Sequence, residues 1–441
     1  AKSAPTTRPP PAPTRRLVHP HLPGYTDPAR DGVAGNREEE SMGDEERGGP
    51  LRDLLVLDFT WALSGPYATM ILADLGARVI KVEMPGRGDF SRENGPFVNG
   101  LSTYFASISR GKESLTVNLK HAEGRRLILG LARRADVVVE NFVPGTMANL
   151  GLGYDALRAE NPRLIYASCS GFGQTGPYRD RPALDIIVQA MAGTMSVTGE
   201  PGRAPARVGY SVGDIGASLF LAVGILAAVH ERARSGQGQH LDVAMLDAQI
   251  AMLENAFIRH LAAGEVPGPL GTDHPVITPF GAYKARDGYL ALAASKDPQW
   301  KTVCDVVGHP EWRDDPRFAS LALRNDHRVA IRELLEEALA ARPRAAWIEA
   351  FLKAGVPCGP VSSVPEAAAD PQVRARGMIV EIPHPAGGTI RMAGSPLKLS
   401  RTPARAQGPP PTVGQHTEAI LQEFLGLAPA EVARLRAAGA V

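Results

Sequence analysis

Short apolar runs recur through the first half of the chain, at 54–59, 79–83, 114–119, 136–140 and 164–168. Each has the length of a strand, and most are dense in Val, Ile and Leu. Between them the spacing turns helical. Pro66 suits the first turn of a helix, which is predicted over 67–75 and stops at Gly76, a C-terminal glycine signal. A second helix is predicted over 122–135. Strands alternating with helices imply βαβ units and a mostly parallel, doubly wound sheet, an α/β fold. Ligands on such sheets bind beyond the carboxyl ends of the strands, where Asp58, Glu83, Asn118 and Asn141 fall. The longest apolar run, 217–229, is shorter than the ~20 residues that span a bilayer and reads as a core helix.

Beyond residue 246 the pattern changes. Residues 280–293 read as a hairpin turning on Asp287-Gly288. Helices follow over 297–307 and 327–341, short strands over 376–400, and helices over 414–425 and 429–438. This half predicts a smaller α+β domain. Residues 1–48, rich in Pro, Arg and Gly with almost no apolar rhythm, are expected to be disordered. Met42 reads as a natural start within that tail.

The composition narrows the function. Of 441 residues, 44% are hydrophobic and 22% charged, as in ordinary globular chains. The net charge of +1 offers no field for nucleic acid or an acidic membrane, so neither is an expected partner. Cys169, Cys304 and Cys358 are far apart and lack metal or disulfide spacing, which fits a reducing cytoplasm. The scattered histidines point to no metal site.

Candidate chemistry centres on carboxylates. Asp214 lies in Gly213-Asp-Ile-Gly216 at the head of the core helix. It reads either as a helix cap or as an acid with room to react. Asp185, before an apolar stretch, is a cap or a group of raised pKa. Gly171-Phe-Gly-Gln-Thr-Gly176 matches GxGxxG but continues as loop instead of opening a helix, so a glycine-rich turn at the sheet edge is preferred over a dinucleotide site. Cys169 has no adjacent base and reads as packing. Lys81, Arg87, Lys112 and Lys120 are surface charges, or partners for a ligand with several phosphates.

Several segments share one likeness. They are Leu57-Asp-Phe-Thr60 with Ser64-Gly-Pro-Tyr-Ala68, then 72–83, 136–145, 161–166, 171–177, 212–216, 357–361 and 414–417. In order and spacing, over about 50–441, the chain resembles the class III CoA-transferase family, which includes formyl-CoA and carnitine CoA-transferases and the α-methylacyl-CoA racemases. The resemblance implies a large Rossmann-like domain (49–245), a linker (246–271), a small α+β domain (272–363) and a C-terminal segment returning to the large domain (364–441). It also implies an interlocked homodimer. The family's catalytic aspartate matches Asp214, its acidic partner Asp185, and its CoA contacts Lys120, Asn141, Phe142 and Val117.

Where formyl-CoA transferase has a first-loop glutamine, a CoA-side arginine and a tetraglycine lid, this chain has Leu63, Met84 and Gly271-Thr-Asp-His-Pro275. The racemases' His-Asp pair is Leu184-Asp185 here. The resemblance therefore implies transfer of CoA from a donor such as succinyl-CoA to a small mono- or dicarboxylic acid, with 2-methylacyl-CoA racemisation as the alternative. The CoA thioester is substrate, with no permanently bound cofactor. In the implied mechanism Asp214 is kept ionised by its helix N-terminus and passes through an anhydride and an aspartyl-CoA thioester. Gly213 and Gly216 admit the thioester, nearby N–H groups hold the oxyanion, and the loop over 270–279 acts as a lid. Arg207 and His274 are candidates to pair with a second carboxylate.

Overall fold

A computed structural model describes residues 48–441. The tail expected to be disordered and the start read at Met42 lie outside the described residues, apart from Gly48. Five of the six strands of the central sheet come from the apolar runs: β1 (Leu55–Asp58), β2 (Arg78–Glu83), β3 (Glu113–Thr116), β4 (Val137–Glu140) and β5 (Ile165–Ser170). The sixth, β6 (His240–Ala244), alternates exposed and half-buried residues because it is an edge strand, and so carries no apolar run. All pairings are parallel, in the order β3-β2-β1-β4-β5-β6. The chain winds outward from β1 to β3, then returns to β4 and winds the other way. That reversal opens a crevice at the carboxyl ends of β1 and β4, where doubly wound sheets bind ligands.

Both faces of the sheet are covered, which is why its central strands are apolar without alternation. On one face Leu57, Ile80, Leu115 and Val138 pack with Leu127, Ile128 and Leu131 of a helix spanning Ala122–Ala132, and with Ile420, Leu421, Val432 and Leu435 of the C-terminal helices. On the other, Val56, Val79, Val137 and Ile165 meet α1 (Ser64–Asp74) and a long helix through Ala217, Leu221 and Ile225. Around that face lie α2 (Asp185–Met191), α3 (Val212–Ser235), α4 (Met245–Met252) and α5 (Glu254–Ala263). α3 has the length and apolarity of a membrane span, but half of its most apolar stretch is buried in this core. Residues 246–271, expected as a linker, are helical through Ala263: α4 packs along α3, while α5 buries none of its residues in its own chain.

A second sheet, β7 (Phe280–Ala285), β8 (Gly288–Ala293) and β9 (Cys358–Pro360), is antiparallel in the order β9-β8-β7. It has its own core, including Tyr283, Leu290, Trp300, Ile331, Leu335 and Trp347. Beneath the crevice runs a buried ionic layer. The Lys112 ammonium bonds the Asp58 carboxylate (2.9 Å), the Pro66 carbonyl and the Thr69 hydroxyl (both 2.8 Å). Lys81 pairs with Asp89 at 2.8 Å, and Arg92 grips Glu83 with two nitrogens. Burial opposes the charge on Asp58, but Lys112, Lys81 and two threonine hydroxyls hold its carboxyl far below the usual range. Burial in turn pushes Lys112 down to about 8, against the pull of Asp58.

Candidate active site

Asp214 stands in the first turn of α3, half-buried. It is not the cap. The helix begins two residues earlier, at Val212, its cap position is Ser211, and Ser211 makes no side-chain cap bond. Among the described residues none donates a hydrogen bond to the Asp214 carboxylate.

Asp185 supplies the missing cap from another element. It is the first residue of α2, and its Oδ1 accepts the Gly213 N–H at 2.9 Å, the bond a capping side chain of α3 itself would make. Its Oδ2 accepts from Gln189 Nε2 at 2.7 Å and lies 3.9 Å from the Arg207 guanidinium. The fully buried Gln189 accepts the Val208 N–H at 2.9 Å. One short helix thus ties down the segment leading into α3. Asp185 caps, as one reading of the sequence allowed, but it caps the wrong helix for any local rule to detect.

Burial, and then the charge of Asp185, raise the Asp214 carboxyl from 3.8 to about 7. This reverses the expectation that the helix N-terminus keeps it ionised. A helix end favours an anion by roughly 0.3–1 kcal/mol. A rise from 3.8 to about 7 corresponds to about 4 kcal/mol, so burial and like charge win. Tyr104, half-buried on the helix Thr103–Ser109, is pushed up to about 12 by burial and by Asp214, Asp89 and Asp185. Its phenol is a neutral donor within the field of both acids. Nothing in its sequence context signals this.

Two further expectations are corrected. A Cβ on Gly213 would meet Gln249 Nε2 and Val188 Cγ2 at 2.8 Å and Asp185 Oδ1 at 3.0 Å; one on Gly216 would meet Met252 Sδ at 2.4 Å. The glycines let α3 pack against α2 and α4; they do not open a path for a thioester. The Gly213 N–H is held by Asp185 and the Val212 N–H by the Tyr210 carbonyl, so neither is free for an oxyanion.

The crevice at the β1–β4 switch is built differently from the acid pair. Asn141, just past β4, accepts the Trp61 N–H at 2.8 Å and donates to the Trp61 carbonyl at 2.7 Å and toward Ser64 Oγ at 3.4 Å. Its amide is occupied in holding the loop before α1, where Ala62 sits at φ 64, a strained conformation of the kind that gathers at functional sites. The Ser218 hydroxyl of α3 lies 2.5 Å from the Ser64 carbonyl and 2.7 Å from that of Asp214, linking the same loop to the acid's turn. The Phe142 ring packs edge-on to Trp61 with centroids 6.2 Å apart. Val117 is buried in the core, so a ligand reaches at most its backbone, whose N–H already donates to the Glu83 carbonyl. Lys120 is exposed, with no ion pair among the described residues. Lys81 and Lys112 belong to the buried ionic layer, and Arg87 pairs with Glu93 on the surface. Neither sequence spacing nor residue type distinguishes these cases.

The GxGxxG loop opens no helix; the next begins at Asp185. Its strand, β5, lies one in from the edge. Cys169 is buried and pushed up to about 12 by that burial, a packing group. The loop over 270–279 is bonded along its length: Gly271 N–H to the Gly199 carbonyl, Asp273 to Arg332, and His274 N–H to the Phe280 carbonyl. The His274 ring packs on Phe280 and its Nδ1 accepts the Val276 N–H, so its contacts run within the loop and not to the acid pair.

Comparison with known proteins identifies the family. The model of CoA-transferase family III matches residues 51–417. The acetyl-CoA:oxalate CoA-transferase of Acetobacter aceti is 44% identical over 378 residues, covering 85% of this chain and 96% of that enzyme. The succinyl-CoA:glutarate CoA-transferase of Mus musculus is 38% identical over 393 residues, covering 89% and 90%. The crystal structure of a CAIB/BAIF family protein from Brucella suis superposes with a TM-score of 0.78 at 38% identity, covering 86% of this chain and all of that one.

Proposed function

This chain belongs to CoA-transferase family III, a CoA-transferase by descent, and we propose that it hands CoA from a donor such as succinyl-CoA to a small mono- or dicarboxylic acid through covalent chemistry on Asp214. One observation carries the reading: the half-buried Asp214 carboxyl, which accepts no hydrogen bond from any described residue, is pushed up to about 7 by burial and by the charge of Asp185, a second acid fixed by N–H donors. A carboxylate of raised pKa is a stronger nucleophile than an ordinary one, at the cost of being partly protonated at neutral pH.

An Asp214 oxygen attacks the thioester carbonyl, the C–S bond breaks, and the electron pair leaves with CoA thiolate. The product is a mixed anhydride. The thiolate attacks the aspartyl carbonyl and expels the donor acid as carboxylate, leaving an aspartyl-CoA thioester. The acceptor carboxylate then attacks that thioester, and the same steps run in reverse to release the new acyl-CoA and free Asp214. The Tyr104 phenol, held neutral within the field of Asp214, is the donor we assign to the oxyanion. The Lys120 ammonium and the Phe142–Trp61 edge of the crevice are available to the CoA phosphates and adenine. Hydroxylamine added during turnover should leave a hydroxamate on the peptide that contains Asp214, seen by mass spectrometry. An unmodified peptide under conditions of rapid turnover refutes the covalent step.

The same reading includes a homodimer. α5 buries none of its residues in its own chain, although Ile258 and Leu261 are apolar and the latter is 76% exposed. Ile186 and Ile187 of α2 and Phe220 and Val223 of α3 are exposed as well. An apolar surface of this kind calls for a partner, and a helix of ten residues with no buried side chain gains little stability alone. Sedimentation should give a dimer, and Leu261→Glu with Val223→Glu should weaken it; a monomer at micromolar concentration sinks this part.

A further inference from the structure

We propose that Arg207 is a specificity-determining residue that holds the distal carboxylate of a dicarboxylic substrate while the proximal carboxylate reacts at Asp214. The inference rests on the CoA-transfer reading and deepens it by assigning the acid class.

Arg207 lies on the segment leading into α3. It approaches Asp185 through one nitrogen at 3.9 Å, the far edge of ion-pair range, and is 46% exposed. The arginines of the sheet are engaged otherwise. Arg92 closes a two-pronged pair on Glu83, and Arg110 on Asp74, with N···O distances of 2.6–3.0 Å. Arg78 is shared between Glu113 and Glu423. Those side chains hold the fold together. The Arg207 guanidinium makes no hydrogen bond with any described residue. Its five N–H donors, set in a fork that matches a carboxylate, remain open at the mouth of the site.

The placement suits a second carboxylate. Asp185 reaches in both directions: one oxygen sits on the Gly213 N–H, next to Asp214, and the other faces Arg207. Asp185 thus stands between Arg207 and the turn that carries Asp214. In a succinate- or glutarate-sized acid the two carboxyl carbons are separated by about 4–5 Å, the span that the assignment asks to bridge from Asp214 past Asp185 to Arg207. A dianion entering past Asp185 meets like charge and needs a cation to offset it. His274, the other candidate, is engaged within its own loop. Arg207 moves no proton and forms no bond to the reacting carbon; it orients the acid.

The test uses the full chain with succinyl-CoA as donor and a matched pair of acceptors, glutarate and pentanoate, with the thioesters separated by chromatography. Because the donor also carries a distal carboxylate, the readout is the ratio of kcat/KM between the two acceptors, in which the donor cancels. The native chain should favour glutarate by on the order of 10- to 100-fold, the worth of one charge-assisted fork. Arg207→Gln should remove most of that preference through KM for glutarate, with pentanoate little changed, and Arg207→Lys should restore part of it. Equal losses on both acids, or a native preference for pentanoate, overturns the assignment and leaves CoA transfer standing. Failure of the native chain to form a new thioester with these or with succinate, oxalate and acetate sinks the CoA-transfer reading itself.

Discussion

Replacing Asp185 by Asn tests the electrostatics of the site most directly. The Asp214 carboxyl is raised from 3.8 to about 7, first by burial and second by the charge of Asp185. Burial is unchanged by the substitution; the charge is removed. As the lesser cause, Asp185 accounts for less than half of the rise, so the acid limb of kcat/KM should move from about 7 toward about 6. A shift of one pH unit is about 1.4 kcal/mol. Asn keeps a carbonyl oxygen for the Gly213 N–H, so the start of α3 is preserved, while its amide nitrogen faces Gln189 Nε2 and loses that bond. The variant should therefore be less stable by about 1 kcal/mol yet ionise its nucleophile at lower pH. The assay is a pH–rate profile of the donor half-reaction between about pH 5 and 9, with Asp185→Glu as the charge-retaining control. An unmoved limb, or one that moves upward, refutes the coupling between the two acids.

Other substitutions probe separate parts of the argument. Asp214→Asn should abolish transfer and also stabilise the fold at pH 8. The folded carboxyl binds its proton more tightly than the unfolded one, so the native state loses stability as pH rises from about 4 to about 7; Asn escapes that loss, a gain of up to about 4 kcal/mol above pH 7 that vanishes below pH 4. Urea unfolding at both pH values checks it, and no gain at pH 8 contradicts the burial argument. Lys112→Met leaves the Asp58 carboxylate buried beside a lost partner and should cost about 3–5 kcal/mol in the same assay. Gly213→Ala forces a methyl against Val188, Gln249 and Asp185 and should cost about 1–3 kcal/mol with a fall in kcat; Gly216→Ala meets only a flexible methionine and should be milder. Equal effects of the two would contradict the packing role given to Gly213.

Legibility differed by element. β1 and β4 were readable because both their faces are buried and all but the last residue of each is apolar, while β2 keeps Val79, Ile80 and Val82 and sends Lys81 and Glu83 into the buried ionic layer. β6 was not, since an edge strand with polar alternation has no such run. Asp214 was readable as a candidate from its glycines, though for a reason the packing overturns. Tyr104 and Trp61 lay outside any motif.

Period, capping residues and turn chemistry act over a few neighbouring positions, so the chain alone determined a doubly wound α/β sheet, a hairpin turning on Asp-Gly and an acid at the head of a long helix. What the acid does depends on distances between residues remote in sequence. Asp185 caps α3 from 28 positions away, Asn141 holds Trp61 from 80, and Lys112 reaches Asp58 from 54. Hydrogen bonds and Coulomb energies follow separation in space, which is why the fold had to close before burial and a neighbouring charge could set Asp214 near neutral pH.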